Sequence, residues 1–352
     1  MSDKKVKHFY EIKPTVENYW RAIILFGRNS ATYKFALAKA LHEFKGSKEL
    51  VKMEDLAPVF SKHIIEHLKH SDRQATNKNS TFLDALRSYS RGEMNETQML
   101  DQTLKKGFVN VIDAFHNVHG EELSNRFYID ERKESGGIRL TDQFYSLTES
   151  PQFIEINLET ESRWRLVETA WNLRIPNRVL SIDYDETNEE LFALDKSLDR
   201  VSVTGARTAL NGYQKGVCFY CFRDLTINSK GGSNNQEFED VDVDHFFPHK
   251  LKYCADGKAI DGVANLVLAC KECNRGTSGK FDRLPKIDFL ERLHQRNEYL
   301  ISSHHPLREN LMLQTGLTTQ KRINTLQDVY NCSSMTLGYN KWEPPVCGEA
   351  VF

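Results

Sequence analysis

Residues 218–221 read CFYC, residues 241–249 read VDVDHFFPH, and residues 265–281 read NLVLACKECNRGTSGKF. Two Cys-x-x-Cys pairs, Cys218/Cys221 and Cys270/Cys273, bracket a stretch whose other chemically loaded residues are Asp244, His245, Asn265 and Asn274. Four thiolates at this spacing suit a tetrahedral zinc ion, each pair in a tight knuckle that aims two sulfurs at one point. A small metal-stapled unit is therefore expected between the pairs.

Between the knuckles, Val241 and Val243 alternate with Asp240, Asp242 and Asp244. On a strand the valines would face a core and the three carboxylates would share the other face, where they favour a divalent cation such as magnesium or manganese. The plainer reading of Asp240 and Asp242 is a solvated strand face. His245 falls on the opposite side of a regular strand from Asp244, so a strand end or bulge is needed for both to serve one site. As a neutral imidazole it could take a proton from water. Asn265 could hold the loop that orients that ring, and Asn274, just after the last cysteine, could offer its side-chain oxygen to the cation.

These residues resemble the HNH endonucleases of the ββα-metal class. The resemblance covers roughly residues 213–285 through C-x-x-C, VDH-x-x-P and NLV-x-x-C-x-x-CN. It implies a hairpin and helix around one catalytic divalent ion, with a separate structural zinc on the four cysteines. Carried over by position, it implies His245 as general base, Asn265 as the residue fixing that base, and Asp244 and Asn274 as ligands of a magnesium or manganese ion. The last position departs from the commonest pattern, which has histidine where Asn274 stands. His249, four residues past His245, could join the ion's shell, contact phosphate or merely pack. Arg275 and Lys280 lie in the run 271–286, where basic residues outnumber acidic ones, and are read as contacts to substrate phosphate.

Outward from this stretch, the N-terminal region reads as helical. Thr15 and Thr32 are candidate caps for two helices within 15–45, and the stripes Leu56/Phe60/Ile64/Leu68 and Leu104/Phe108/Val111/Phe115 predict more. From 126 to 158 the texture turns strand-like: FYID, the turn ESGG, then IRLTDQFYSL and FIEINL. Helical spacing returns in ESRWRLVETAWNL, RVLSIDYDETNEELFAL reads as two strands around an acidic turn, and Ser202 or Thr204 could cap a helix through ARTALNGYQKG. IDFLERLHQRNEYLI and HHPLRENLMLQTG predict helices, while the tail after 332 shows no clear period. The histidines at 63, 67 and 70 and the pair His304/His305 read as structural.

The fold class that follows is α+β. Its parts are a mainly helical N-terminal region (1–125), a mixed connector (126–201), an HNH-type domain (202–286), and C-terminal helices with a tail (287–352). The 352 residues carry a formal net charge of -2, which argues against a uniformly basic nucleic-acid wrapper but leaves room for a local patch. Cys254, Cys332 and Cys347 are scattered, so no disulfide framework and a reducing, cytoplasmic setting are expected. AIILF is far too short to span a bilayer, so no membrane partner is expected. The functional expectation is a metal-dependent endonuclease acting on DNA, in a setting such as restriction or phage defence suggested weakly by the flanking sequence. Its competitors are a nuclease directed at RNA, a non-cleaving nucleic-acid-binding zinc module, and a scaffold that carries the finger as a brace. The N-terminal stripes are also compatible with a homodimer or partner-protein face.

Overall fold

Thr15 accepts a hydrogen bond from the Asn18 N–H and starts helix α1 (Val16–Phe26), whose inward face carries Trp20, Ile23 and Ile24. Helix α2 (Tyr33–Glu43) begins at Thr32, but the Thr32 hydroxyl bonds the Gln74 side chain at 2.7 Å and does not cap. Strand β1 (Leu50–Lys52) leads into α3 (Met53–Leu68). Ser80 caps α4 (Thr81–Ser90), and a reciprocal box between Asn95 and Gln98 opens α5 (Glu96–Gln102). A π turn at 103–107, a short α6 (Val111–Ala114) and the paired strands β2 (Asn117–Val118) and β3 (Glu121–Glu122) follow.

The computed structural model describes residues 9–27, 30–77, 79–172, 182–185, 187–188, 190–194, 200–227, 241–255, 260, 262–303, 308–338, 340–345 and 348. It divides after residue 174 into a helical unit from residue 14 onward and a second unit containing the cysteine-bracketed stretch. The expected boundary at 125 falls inside the helical unit. There β4 (Tyr128–Glu131) and β5 (Gly137–Leu140) form the expected hairpin, and β1 pairs with the other edge of β5, tying the hairpin to residues 50–52.

Past residue 140 the strand reading is corrected. TDQFYSL belongs to α7 (Asp142–Glu149) and FIEINL opens the 20-residue α8 (Phe153–Asn172). The reason is visible in burial: Phe153, Ile156, Thr160, Arg163, Trp164 and Val167 keep helical spacing across the whole stretch, a period that a six-residue window cannot reveal. Helix α8 lies at the centre of this unit. Arg21 of α1 meets its Glu159 through two hydrogen bonds of 2.8 and 2.9 Å, and Trp164 donates to Gln74 at 2.9 Å. Trp20 packs edge-on against Phe115 and Phe127 with ring centroids 5.5 and 4.9 Å apart.

In the second unit β6 (Ile182–Asp185), β7 (Glu190–Leu194) and β8 (Arg200–Gly205) form an antiparallel meander. The acidic turn between the first two is as expected, with Asp185 accepting from the Thr187 and Asn188 N–H groups. Ser202 and Thr204 are strand residues and do not cap: α9 (Ala206–Asn211) starts after Gly205. Strand β9 (Val241–His245) pairs antiparallel with β10 (Leu266–Cys270), which runs straight into α10 (Lys271–Arg275).

Helices α11 (Asp288–Ser302), α12 (Arg308–Thr315) and α13 (Thr319–Leu337) complete the unit. They belong to the same compact unit as β9 and β10. Helix α13 absorbs part of the supposedly aperiodic tail: Thr318 caps it, Ile323, Leu326, Val329 and Tyr330 form its buried stripe, and Arg322 pairs with Glu298 of α11. Beyond it, Trp342 exchanges backbone hydrogen bonds with Leu284 and Lys286 and packs against Tyr220, ring centroids 5.0 Å apart. No helix among the described residues is long and apolar enough to cross a membrane. Asp240, His304, His305 and Cys347 lie outside the described residues.

Candidate functional site

The first knuckle is a tight turn. Phe222 N–H bonds the Cys218 carbonyl, Cys218 N–H bonds the Arg223 carbonyl, and Phe222 takes a left-handed φ of 60° to close it. The second pair straddles the end of β10 and the start of α10. All four sulfurs lie within 4.8 Å of one another, and all four cysteines are buried. A tetrahedron with metal–sulfur bonds of about 2.3 Å has edges of about 3.8 Å. Cys221 and Cys270 stand at 3.8 Å, and Cys270 N–H points at the Cys218 sulfur at 3.4 Å, as a partner outside the ligand set would. The residues fit a metal ion such as zinc.

The carboxylates of this hairpin depart from the expected solvated face. Asp242 and Asp244 are buried, as Val241 is, and Val243 is half-buried. The cause is their partners. Asp242 accepts from Asn274 Nδ2 at 3.0 Å and from the Arg275 guanidinium at 2.9 Å. Asp244 accepts from Tyr220 Oη at 2.6 Å and from Lys280 Nζ at 3.0 Å. A buried carboxylate needs such compensation, and here every oxygen has it.

Lys280 is fully buried, and its ammonium also donates to the carbonyls of His245 and Phe281 at 2.8 and 3.2 Å. The expectation that it contacts substrate phosphate is corrected: its three donors are spent inside the protein. The turn 276–281 points it inward. Gly279 sits so close to the backbone of Asn274 and Gly276 that a Cβ there would lie 2.8 and 2.7 Å from their atoms, so only glycine fits. Arg275, by contrast, has a side chain 54% exposed, at the edge of an open groove of about 740 Å³ that it shares with Lys271, Glu272, Thr277, Ser278 and Pro345.

His245 ends β9, opposite Leu266, and is half-exposed. The exposed His249 lies beside it, ring centroids 5.3 Å apart at 71°. Asn265 clamps the segment between them: its Oδ1 accepts from the Phe247 N–H at 2.8 Å, and its Nδ2 donates to the carbonyls of Phe247 and Ile260 at 2.9 and 2.8 Å. This buried amide is fully used, and the backbone two residues past His245 has one position.

The structure thus brings His245, His249 and Asn265 into one neighbourhood and Asp242, Asp244, Asn274, Arg275 and Lys280 into an adjoining ionic network. Among the described residues the cysteines are the sole His, Cys, Asp or Glu group whose ligand atoms cluster. As placed, both oxygens of Asp244 are engaged by Lys280 and Tyr220, whereas Asn274 gives Asp242 its Nδ2 and not the side-chain oxygen expected to meet a cation. Tyr220 is the partner that the sequence did not announce: within CFYC it reads as knuckle filler, yet burial and the adjacent Asp244 carboxylate raise its phenol pKa well above the ordinary value. The order of residues along the hairpin carried the rest. No family model matches the chain, and neither the curated proteins nor the solved structures contain a match to it.

Proposed function

We propose that the cysteine-braced hairpin is the nuclease element of an HNH-type endonuclease that hydrolyses phosphodiester bonds, DNA first among its substrates. The observation that carries this reading is the fixation of His245. Its carbonyl is held by Lys280 and the chain just beyond it by Asn265, while the residue is half-buried beside His249. A general base needs a fixed backbone and a ring not wholly shut off from solvent. His245 takes a proton from water, the water oxygen attacks phosphorus, and the phosphorus–oxygen bond on the far side breaks. Arg275, at the groove edge, faces the backbone phosphate charge. Magnesium or manganese enters the reading through the family resemblance, and the steps above use only groups of the chain.

The saturation of Asp244 favours one other reading, a zinc-braced module that binds nucleic acid without cutting it. Plasmid DNA and single-stranded RNA incubated with the full-length protein under magnesium and under manganese separate the two. Cleavage that falls by about 10² or more in His245→Ala, the scale of general-base catalysis, supports the nuclease. Intact substrate under every metal despite a band shift supports the binding module. Equal cutting by the variant removes His245 from the chemistry.

A further inference from the structure

Outside the four-sulfur cluster, Cys254 and Cys332 are joined by a disulfide, with Cα atoms 5.5 Å apart and a sequence separation of 78. Their scatter along the chain hid this, since connectivity does not follow from spacing alone. The two sets of cysteines differ in access. The cluster sulfurs are buried and engage one another, whereas Cys254 and Cys332 are half-buried, next to Tyr253 at 93% exposure. Accessible sulfurs exchange, and buried, liganded ones do not.

The bond joins two unlike pieces. Cys332 sits on α13, which is anchored independently by the Arg322–Glu298 pair and by the Tyr330 hydroxyl on the Pro285 carbonyl at 2.8 Å. Cys254 sits near the end of the 3-10 turn His249–Ala255, which starts at the histidine beside His245. Buried Leu251 holds the front of that turn through its N–H on the Pro248 carbonyl, and the disulfide holds its far end.

We infer that Cys254 and Cys332 form a reversible thiol–disulfide site, with a low-molecular-weight disulfide as co-reactant, that fastens the His249–Ala255 turn to α13 when oxidised and frees it when reduced. In oxidation, the thiolate of one cysteine attacks a sulfur of the small disulfide, forming a mixed disulfide and expelling one small thiolate. The second cysteine then attacks the protein-side sulfur and expels the other. Two electrons pass from the pair to the small disulfide, and its two thiolates take up the two protons that the cysteines lose. Reduction runs the same steps backwards. Access and anchoring carry the inference, which stands whether or not His245 is a base.

The test uses the full-length, zinc-loaded protein, treated with dithiothreitol or with oxidised glutathione. Differential alkylation and peptide mass spectrometry read the thiols, and amide hydrogen exchange reads the turn. A Cys254–Cys332 crosslink that forms with glutathione disulfide and reverses with dithiothreitol is expected, with zinc content and the four cluster cysteines unchanged. Amides of residues 251–255 should exchange about 10-fold faster in the reduced protein, and equally fast in Cys332→Ser under both treatments. Both thiols remaining alkylatable after oxidation overturns the inference, as does a crosslink that dithiothreitol cannot open in the folded protein. Equal exchange of the turn in the two redox states overturns its fastening role.

Discussion

In the helical unit, Arg21 of α1 and Glu159 of α8 meet, both buried. In the second unit, Lys280 reaches Asp244, which also accepts from Tyr220, from a short turn in the unit that holds the four clustered sulfurs. Both place a cation and a carboxylate out of water, where desolvation is tolerated only if the partners are held in register. What differs is the holder. Apolar packing at helical spacing fixes the first pair, so its frame exists without any added group. The second pair hangs on the Cys218–Asp224 knuckle, a two-stranded hairpin and a five-residue helix, elements too small to be stable alone.

The largest test of that contrast is metal removal. Structural zinc in small domains contributes apparent binding free energies of about 10–16 kcal/mol, so a chelator, or Cys273→Ser, should abolish hydrogen-exchange protection across residues 217–225 and 266–281. Protection in α1, α3 and α8 should persist. Loss in both units alike, or in neither, breaks the distinction between a metal-held and a packing-held frame.

A smaller effect sharpens it. Lys280→Met leaves Asp244 buried with only Tyr220, and Arg21→Met leaves Glu159 without its fork. Each should cost about 3–5 kcal/mol, confined to its own unit. Replacing both members of the second-unit pair, as in Lys280→Met with Asp244→Leu, should restore much of the loss, because the isolated charge is then gone. Urea titration followed by exchange of peptides from each unit measures both. A double variant no better than the single one would mean that Lys280 acts mainly through the carbonyls of His245 and Phe281.

The same contrast explains what could be read without coordinates. Long-range order in the helical unit was legible wherever apolar residues recur over three or more turns, as in α1 and α3. It failed in α8, where β-branched and aromatic residues at the start imitate a strand; in the second unit it failed in α13, where a window begun at residue 332 saw only the helix end. In the second unit the cysteine spacing specified the cluster, and the position of Asn265 specified a clamp. The partners of the carboxylates were illegible, because Asp242 and Asp244 turn inward only when Asn274, Arg275, Tyr220 and Lys280 arrive from three separate segments. Pattern along one strand gives alternation, and which side is wet depends on what packs there. The Cys254–Cys332 bond was hidden for the same reason: nothing local relates residues 78 apart.

The smallest effect lies in the helical unit's own titration, and it has two signs. Burial foremost, then the charges of Arg126 and Lys34, lowers His116 to about 3, and its Nε2 accepts the Phe127 N–H at 3.0 Å, so it folds neutral. Its unfolded value lies near 6.5, so its stabilisation is complete above that pH and is lost on acidification, about 2 kcal/mol by pH 5. Burial also lowers His42 and His63, which act in the same direction. His67 is the opposite case. Burial alone would lower it, but its ring nitrogens face Glu168 at 2.8 Å and Glu161 at 3.2 Å while the ring stacks on Trp164, and these bonds raise its pKa. A raised histidine contributes fully below about 6.5 and loses its share as pH climbs through the folded value. Glu161 also pairs with Lys39 and, at 2.8 Å, with Arg165. Lys34, lowered to about 8 by burial, gains stability with rising pH near there and would mask the His67 loss in a simple pH scan. The difference between wild type and His67→Gln cancels Lys34 and His116. From pH 6 to pH 8 that difference should shrink by on the order of 1 kcal/mol, read from exchange of α3 and α8 peptides. A difference that stays constant would mean the imidazole is held by packing against Trp164 and not by its charge.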